Sequence, residues 1–251
     1  MKSFAWRVPG LRRVYHSVRD AYVAYKLRHS TTEEVFTDIY AHNRWGGTAS
    51  ASGTGSHLDQ TSVLREALPT LFRELGVVSV LDIPCGDFHW MRTVNLNGMN
   101  YIGGDIVRAL VRRNKEHYSR PRTEFRQINL LEDPLPQVGI ILCRDCLVHL
   151  SFSDIIRALR NMCASGSEYL LTTTFCGPRK NLDILTGDWR PLNLECPPFG
   201  FPPPLRLINE GCTEKDGAYQ DKALGLWCLI EPPISLDRRL DYLWGSEERG
   251  P

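Results

Sequence analysis

The side chains that could do chemistry in this 251-residue chain gather behind three short apolar runs. Residues 77–81 (VVSVL) form the first, and the loop that follows reads LDIPCGD, with carboxylates at Asp82 and Asp87. Residues 101–104 (YIGG) form the second and end in Asp105, 23 residues beyond Asp82. Residues 140–143 (IILC) form the third and lead through Arg144, Asp145 and Cys146 to His149. Two carboxylates and no lysine in the first loop suit a cationic ligand and repel phosphates, because like charges at close range are costly. An acid about 20 residues beyond such a loop is placed to accept hydrogen bonds from ribose hydroxyls. Histidine, with an ordinary pKa of about 6.5, is well suited to take a proton near neutral pH.

Those residues need a frame to hold them. Apolar runs predict strands over 77–81, 101–104, 125–128, 140–143 and 169–175, with a last strand over 224–230 after a proline-rich stretch. One intervening helix carries Ile106, Leu110 and Val111, and another opens at Ser153-Asp154 and runs through Met162. Strands alternating with helices imply a doubly wound, mostly parallel, Rossmann-like α/β domain with both sheet faces covered. Ahead of it, Leu64, Leu68, Leu71, Phe72 and Leu75 mark one face of a helix. Val35, Phe36, Ile39 and Tyr40 mark another, opened by Ser30-Thr31-Thr32-Glu33 in the form of a capping box. Between these helices, WGGTASASGTGS (45–56) is too rich in Gly and Ser for regular structure. The expected organisation is N-terminal helices and a lid segment over 1–59, the main domain over 60–232 with an acceptor loop over 176–221, and a tail over 233–251.

S-adenosylmethionine carries an ammonium, a sulfonium and no phosphate, which fits the acidic loop. VLDIPCGD, then YIGGDI, then INLLEDPLP with GIILCRDCLVHLS resemble successive motifs of the class I S-adenosylmethionine-dependent methyltransferases, over residues 60–230. The first motif has Pro-Cys-Gly where many members have a Gly-rich loop, and Asn129 stands where many have Asp. The resemblance implies that Asp82 and Gly86, with Pro84 and Cys85 between them, lie against the methionine part of the cofactor. It implies that Asp105 binds the ribose with Ile106 beside the adenine, and that Asn129 and Leu130 flank that ring. Arg144 and Asp145 would end the fourth strand next to the sulfonium. The WGG and SGTGS segment resembles one that precedes the first motif in a subset of these enzymes, the bacterial sugar O-methyltransferases. Trp45, Ser52 and Ser56 would there hold the cofactor or close over it.

Methyl transfer to a hydroxyl is an in-line displacement that must also remove a proton. His149 is the expected general base, oriented by Asp145. His89 is expected to shape the first loop, while His42 and His57 flank 45–56. Trp189, Phe199 and Phe201, stiffened by five prolines and accompanied by Asp188, Glu195 and Glu210, suit a sugar or polyhydroxylated acceptor. Tyr219, Gln220, Asp221 and Lys222 are candidates for the rim of that pocket. Magnesium on Asp145, Asp183, Asp188 or Glu210 is the other route to an activated hydroxyl. No fixed carboxylate spacing demands it, and no metal ligand is assigned.

Composition limits the alternatives. A net charge of +1 gives no general case for nucleic-acid binding. The first 30 residues hold seven basic residues against Asp20 alone, and Leu11, Val14, Tyr15, Val18, Tyr22 and Tyr25 recur at helical spacing. That pattern predicts a basic amphipathic helix packed on the domain. No run reaches the roughly 20 apolar residues of a membrane span, and no secretory core is present. Eight cysteines in this setting imply reduced thiols and a cytoplasmic protein. The single CxxC, Cys143 and Cys146, has no second pair to complete a zinc site. The expected activity is O-methylation of a small polar acceptor, a sugar or natural product, by a protein for which a homodimer is compatible. The alternatives are a protein or nucleic-acid acceptor and a non-catalytic S-adenosylmethionine-binding module. Base N-methylation often uses an Asn/Asp-Pro-Pro-Tyr strand end, and Arg144-Asp145-Cys146-Leu147 stands there instead.

Overall fold

The computed structural model describes Tyr25 and residues 27–230. The expected basic N-terminal helix, but for its last residues, and the tail over 233–251 lie outside the described residues. Among those described, seven strands form one sheet: β1 (Ser79–Asp82), β2 (Asn100–Asp105), β3 (Thr123–Gln127), β4 (Ile140–Cys143), β5 (Tyr169–Phe175), β6 (Arg206–Asn209) and β7 (Lys222–Cys228). Their spatial order is 3-2-1-4-5-7-6. The first five run parallel to one another, while β7 lies antiparallel between β5 and β6. The sheet is therefore mixed rather than parallel throughout.

Side chains alternate across each strand, so the sheet has two cores. Leu81, Ile141, Cys143 and Leu170 face one, with Ile155, Ala158, Leu159 and Met162 of α4 (Phe152–Ala164). Val80, Ile140, Leu142 and Leu171 face the other, with Leu64, Leu68, Leu71 and Phe72 of α2 (Ser62–Glu74). Val111 of α3 (Arg108–Tyr118) joins this second core. Each fully buried Leu or Ile contributes about 1.5–3 kcal/mol. The strands on either side of β1 grow outward in opposite directions, so a crevice opens at the carboxyl ends of β1 and β4.

Several boundaries differ from those expected. The capping box of α1 (Thr32–Ala41) uses Thr31 and Glu34, one residue later than the expected pair. Ile106 precedes α3 instead of belonging to it, because Asp105 Oδ1 accepts the Val107 N–H at 2.9 Å and the helix starts at Arg108. The third strand covers Thr123–Gln127, and α4 starts at Phe152 behind Ser151, whose hydroxyl accepts the Asp154 N–H. The last strand begins at Lys222 and ends at Cys228. β6 is an addition to the expected strands. No helix among the described residues is long and apolar enough to cross a membrane.

Candidate active site

A cleft of about 1420 Å³ lies at the carboxyl ends of β1, β2 and β4, and it is roofed by α1 and the 45–56 segment. The fourteen residues singled out for cofactor and catalysis all line it: Trp45, Ser52, Ser56, Asp82, Pro84, Cys85, Gly86, Asp105, Ile106, Asn129, Leu130, Arg144, Asp145 and His149.

Asp82 ends β1 and is 3% exposed. Its Oδ2 accepts the Tyr101 hydroxyl at 2.6 Å, and its second oxygen has no hydrogen-bond partner among the described residues. Burial pushes its pKa to about 7, against the pull of Tyr101 and Arg144. Asp105 ends β2 and accepts the Gly86 N–H at 3.0 Å as well as that of Val107. Burial raises its pKa to about 6, with those backbone donors opposing. Asp87 lines the same cleft but is taken up by hydrogen bonds. It accepts the Ser50 hydroxyl (2.9 Å), the Ala51 N–H (2.9 Å), the Ser52 hydroxyl (3.3 Å) and the His89 N–H (3.2 Å). The segment expected as a lid is thus pinned to the first loop. The junction demands glycine at 86, where φ is +54° and a Cβ would sit 2.1 Å from Ser52 Oγ.

The rest of the 45–56 segment is tied as firmly. Trp45 packs on His149 with ring centroids 5.2 Å apart and on Phe36 at 6.3 Å. Thr54 donates its hydroxyl to Glu214 Oε1 at 2.5 Å, and Arg144 Nη2 donates to the Gly55 carbonyl at 2.9 Å. His42, His57 and His89 do not line the cleft. Asn129 lines it, but its amide is engaged by its own turn: Oδ1 accepts the Leu131 N–H and Nδ2 donates to Glu132.

Behind β4 lies a buried square of alternating charge. Arg144 meets Glu210 at 2.6 Å and Asp145 at 3.3 Å, while Lys222 meets Asp145 at 2.7 Å and Glu210 at 3.5 Å. Burial alone would raise the Asp145 pKa, but Lys222 and Arg144 hold it well below the usual carboxylate range. Burial likewise opposes the charge on Lys222, and Asp145 more than compensates, so its pKa is raised. Each carboxylate meets both cations, through Asp145 Oδ2 and Glu210 Oε2. Among the described residues no group of three or more His, Cys, Asp or Glu is placed to hold a metal.

His149 sits on a short helical turn, Leu147–His149. Buried Arg190 clamps that turn, donating to the carbonyls of Leu147 (2.9 Å) and Leu150 (2.8 Å). The expected orienting bond from Asp145 to the imidazole is absent. The hydrogen bond runs instead from Nδ1–H to the Asp188 carbonyl at 2.9 Å, leaving Nε2 as the acceptor nitrogen. Asp145 acts on His149 only through its charge. Burial lowers the His149 pKa, against the Asp188 carbonyl and Asp145.

The far end of the cleft is aromatic. Trp189 and Tyr219 meet edge to face at 5.0 Å, with Phe175 beside both. Phe199 and Phe201, expected in this pocket, are buried against Phe152 and Trp227 instead. Glu195, Glu210, Gln220 and Asp221 also stand off the cleft, while Asp188, Tyr219 and Lys222 line it. Arg190, Glu214 and Lys215 are absent from the sequence-based candidates. They lie in irregular segments where no periodicity marks a site.

No family model matches the sequence, and no curated protein matches it. Solved structures do. The mitomycin 7-O-methyltransferase matches over 88% of this chain and 69% of its own, with a TM-score of 0.60 and 15% identity. Human N-acetylserotonin methyltransferase, in complex with S-adenosylmethionine, matches over 78% of this chain with a TM-score of 0.54 and 15% identity. The match spans 59% of the human enzyme's length. The fold of this chain is that of the class I S-adenosylmethionine-dependent methyltransferases.

Proposed function

We propose that this chain is a cytoplasmic S-adenosylmethionine-dependent methyltransferase that O-methylates a small polar acceptor, a sugar hydroxyl foremost, with His149 as general base. The observation that carries the reading is a single cleft holding both an acidic pair at the ends of β1 and β2 and a histidine with one nitrogen left open.

The residues present fit the cofactor. Asp82 has an unpartnered oxygen for the ammonium, and Asp105 keeps lone pairs for ribose hydroxyls beyond its two backbone bonds. Ile106 and Leu130 supply apolar walls for the adenine. The Leu130 N–H, which has no partner among the described residues, is the donor for the ring edge in place of the Asn129 amide. Trp45, Ser52 and Ser56 close the methionine end. When bound, the cofactor supplies a methyl group on a sulfonium, open to in-line displacement.

The chain's own residues do the rest. The Asp188 carbonyl fixes the tautomer in which Nε2 accepts the acceptor's proton. A lowered pKa keeps that nitrogen unprotonated at neutral pH. The charge square sums to zero, so Arg144 and Lys222 do not repel a cationic ligand as free cations would. Trp45 packs beside the His149 ring and holds it at the cleft wall.

Calorimetric titration with S-adenosylhomocysteine, followed by a methyl-transfer screen beginning with sugars, tests the reading. His149→Ala is expected to bind S-adenosylhomocysteine as wild type does and to lose about 10²–10⁴ in turnover. Turnover within a few-fold of wild type would remove the base. No binding of S-adenosylhomocysteine would remove the methyltransferase.

A further inference from the structure

Among the described residues, four cationic side chains line the cleft: Arg44, Arg144, Lys215 and Lys222. Arg44 is paired with Asp38, Arg144 with Glu210 and Asp145, and Lys222 with Asp145. Lys215 is the exception. It is exposed and meets no carboxylate at ion-pair distance among the described residues, and its Nζ stands 5.4 Å from the centroid of Trp189 and 5.6 Å from that of Tyr219.

The backbone goes out of its way to present this side chain. Lys215 and Asp216 have φ of 47° and 56°, a left-handed conformation that residues with a Cβ avoid. The turn is held at the two residues that precede Lys215. Thr54 bonds to Glu214, and Gln60 bonds to Thr213 through Nε2 to Oγ1 (2.6 Å) and Oε1 to the backbone N–H (3.2 Å). Strain of this kind persists where neighbouring structure over-determines it, and it concentrates at ligand clamps. The acids flanking it in the cleft are already bonded: Glu214 accepts the Thr54 hydroxyl, and Asp188 Oδ1 accepts its neighbour's Trp189 N–H.

We propose that Lys215 reads an anionic group, carboxylate or phosphate, on an acceptor whose ring packs into the corner formed by Trp189 and Tyr219. The inference builds on the methyltransferase reading and narrows its acceptors to acidic ones, among sugars the uronic acids and sugar phosphates. Aromatic faces pack against sugar rings as well as aromatic rings, and Lys215 Nζ, which lies over both rings, is in reach of an anionic substituent on a ring held in that corner.

Matched probes test it: glucuronate and a hexose phosphate against glucose, and para-hydroxybenzoate against para-hydroxybenzamide. Each is titrated into the full chain by tryptophan fluorescence, with and without saturating S-adenosylhomocysteine. The expected result is at least one acid binding about tenfold more tightly than its neutral partner, as a hydrogen bond to a charged group provides. Lys215→Met, which keeps the stem and loses the charge, should bring that acid down to the affinity of its neutral partner. Lys215→Arg should restore the preference. The carboxylate and phosphate arms show which anion is preferred. Equal binding of acid and neutral probes, no saturable binding by any acid, or a preference that survives Lys215→Met would each overturn the proposal. Binding of S-adenosylhomocysteine is read in the same samples. Its loss with the acid preference intact rejects the methyltransferase reading alone, and its presence with no preference rejects the role of Lys215 alone.

Discussion

Asp82→Asn should make the ligand-free protein more stable while emptying its proposed function. Asp82 is buried, and its carboxyl titrates at about 7 in the fold against 3.8 for the ordinary group. A raised pKa means that folding favours the protonated form. The favourable state is fully present below the ordinary value, and it is lost as pH climbs through about 7. At pH 8 the folded chain therefore carries an ionised, desolvated carboxylate at a cost of about 4 kcal/mol, since each tenfold change in proton affinity is worth about 1.4 kcal/mol. At pH 5 the cost is about 2 kcal/mol, because the folded-state carboxyl is then mostly protonated. Asparagine carries no charge and can still accept the Tyr101 hydroxyl. Urea unfolding without ligand should show a gain of about 4 kcal/mol at pH 8 and about half of that at pH 5. The larger gain raises the melting temperature by roughly 10 °C for a domain of this size. Calorimetry on the same variant should show at least about tenfold weaker S-adenosylhomocysteine binding, since the ammonium loses its carboxylate. A gain that is absent, or equal at the two pH values, would refute the burial reasoning. Undiminished binding would remove Asp82 from the cofactor site.

Gly86→Ala places a Cβ 2.1 Å from Ser52 Oγ at a φ of +54°. It should cost at least about 1–2 kcal/mol in unfolding experiments, and Ser52→Ala in the same chain should relieve the clash but not the backbone cost. Glu210→Ala leaves Arg144 and Lys222 sharing Asp145 in a buried site, and thermal unfolding should report a loss of about 3–5 kcal/mol. The pH dependence should divide between two constants. KM for S-adenosylmethionine rises below about pH 7 as Asp82, and then Asp105 near 6, take protons. Turnover at saturation holds to below about pH 6.5, the ordinary histidine value, because burial lowers the His149 pKa. Steady-state kinetics showing a flat KM and a kcat limb above that value would contradict both assignments.

What the sequence made legible follows from the range of the forces involved. The α2 helix is visible because Leu64, Leu68, Leu71 and Phe72 repeat on one face, and the helix forms despite Pro69. β4 is visible because Ile140, Ile141, Leu142 and Cys143 are all buried, as a central parallel strand requires. β6 is not visible. Arg206-Leu207-Ile208-Asn209 follows three consecutive prolines and is mostly exposed, and only its pairing with β7 makes it a strand. The acidic pair is readable because each carboxylate ends its own strand. The contacts that hold the site together are not. Asp87 meets Ser50 across 37 residues, Arg144 meets Glu210 across 66, and Thr54 meets Glu214 across 160. Nothing local announces any of these pairs. Ser30 and Thr31 both have a glutamate three residues on, so the sequence leaves two capping registers open and the helix takes the one at Thr31.

The place of β7 has a consequence for how the chain is made. It enters the sheet between β5 and β6, yet it is the last of the seven strands to be synthesised. The parallel half from β1 to β5 can assemble on a ribosome while β7 is still unmade, and during that interval β5 offers a bare edge over Tyr169–Phe175. Such an edge is a template for unwanted pairing with another nascent chain. The same strand brings Lys222 to Asp145, so until it docks that half-buried carboxylate lacks its closest cation. Arrival of one segment therefore covers the β5 edge and completes the charge balance beside the cleft in a single event. A chain halted anywhere before Lys222 would have neither.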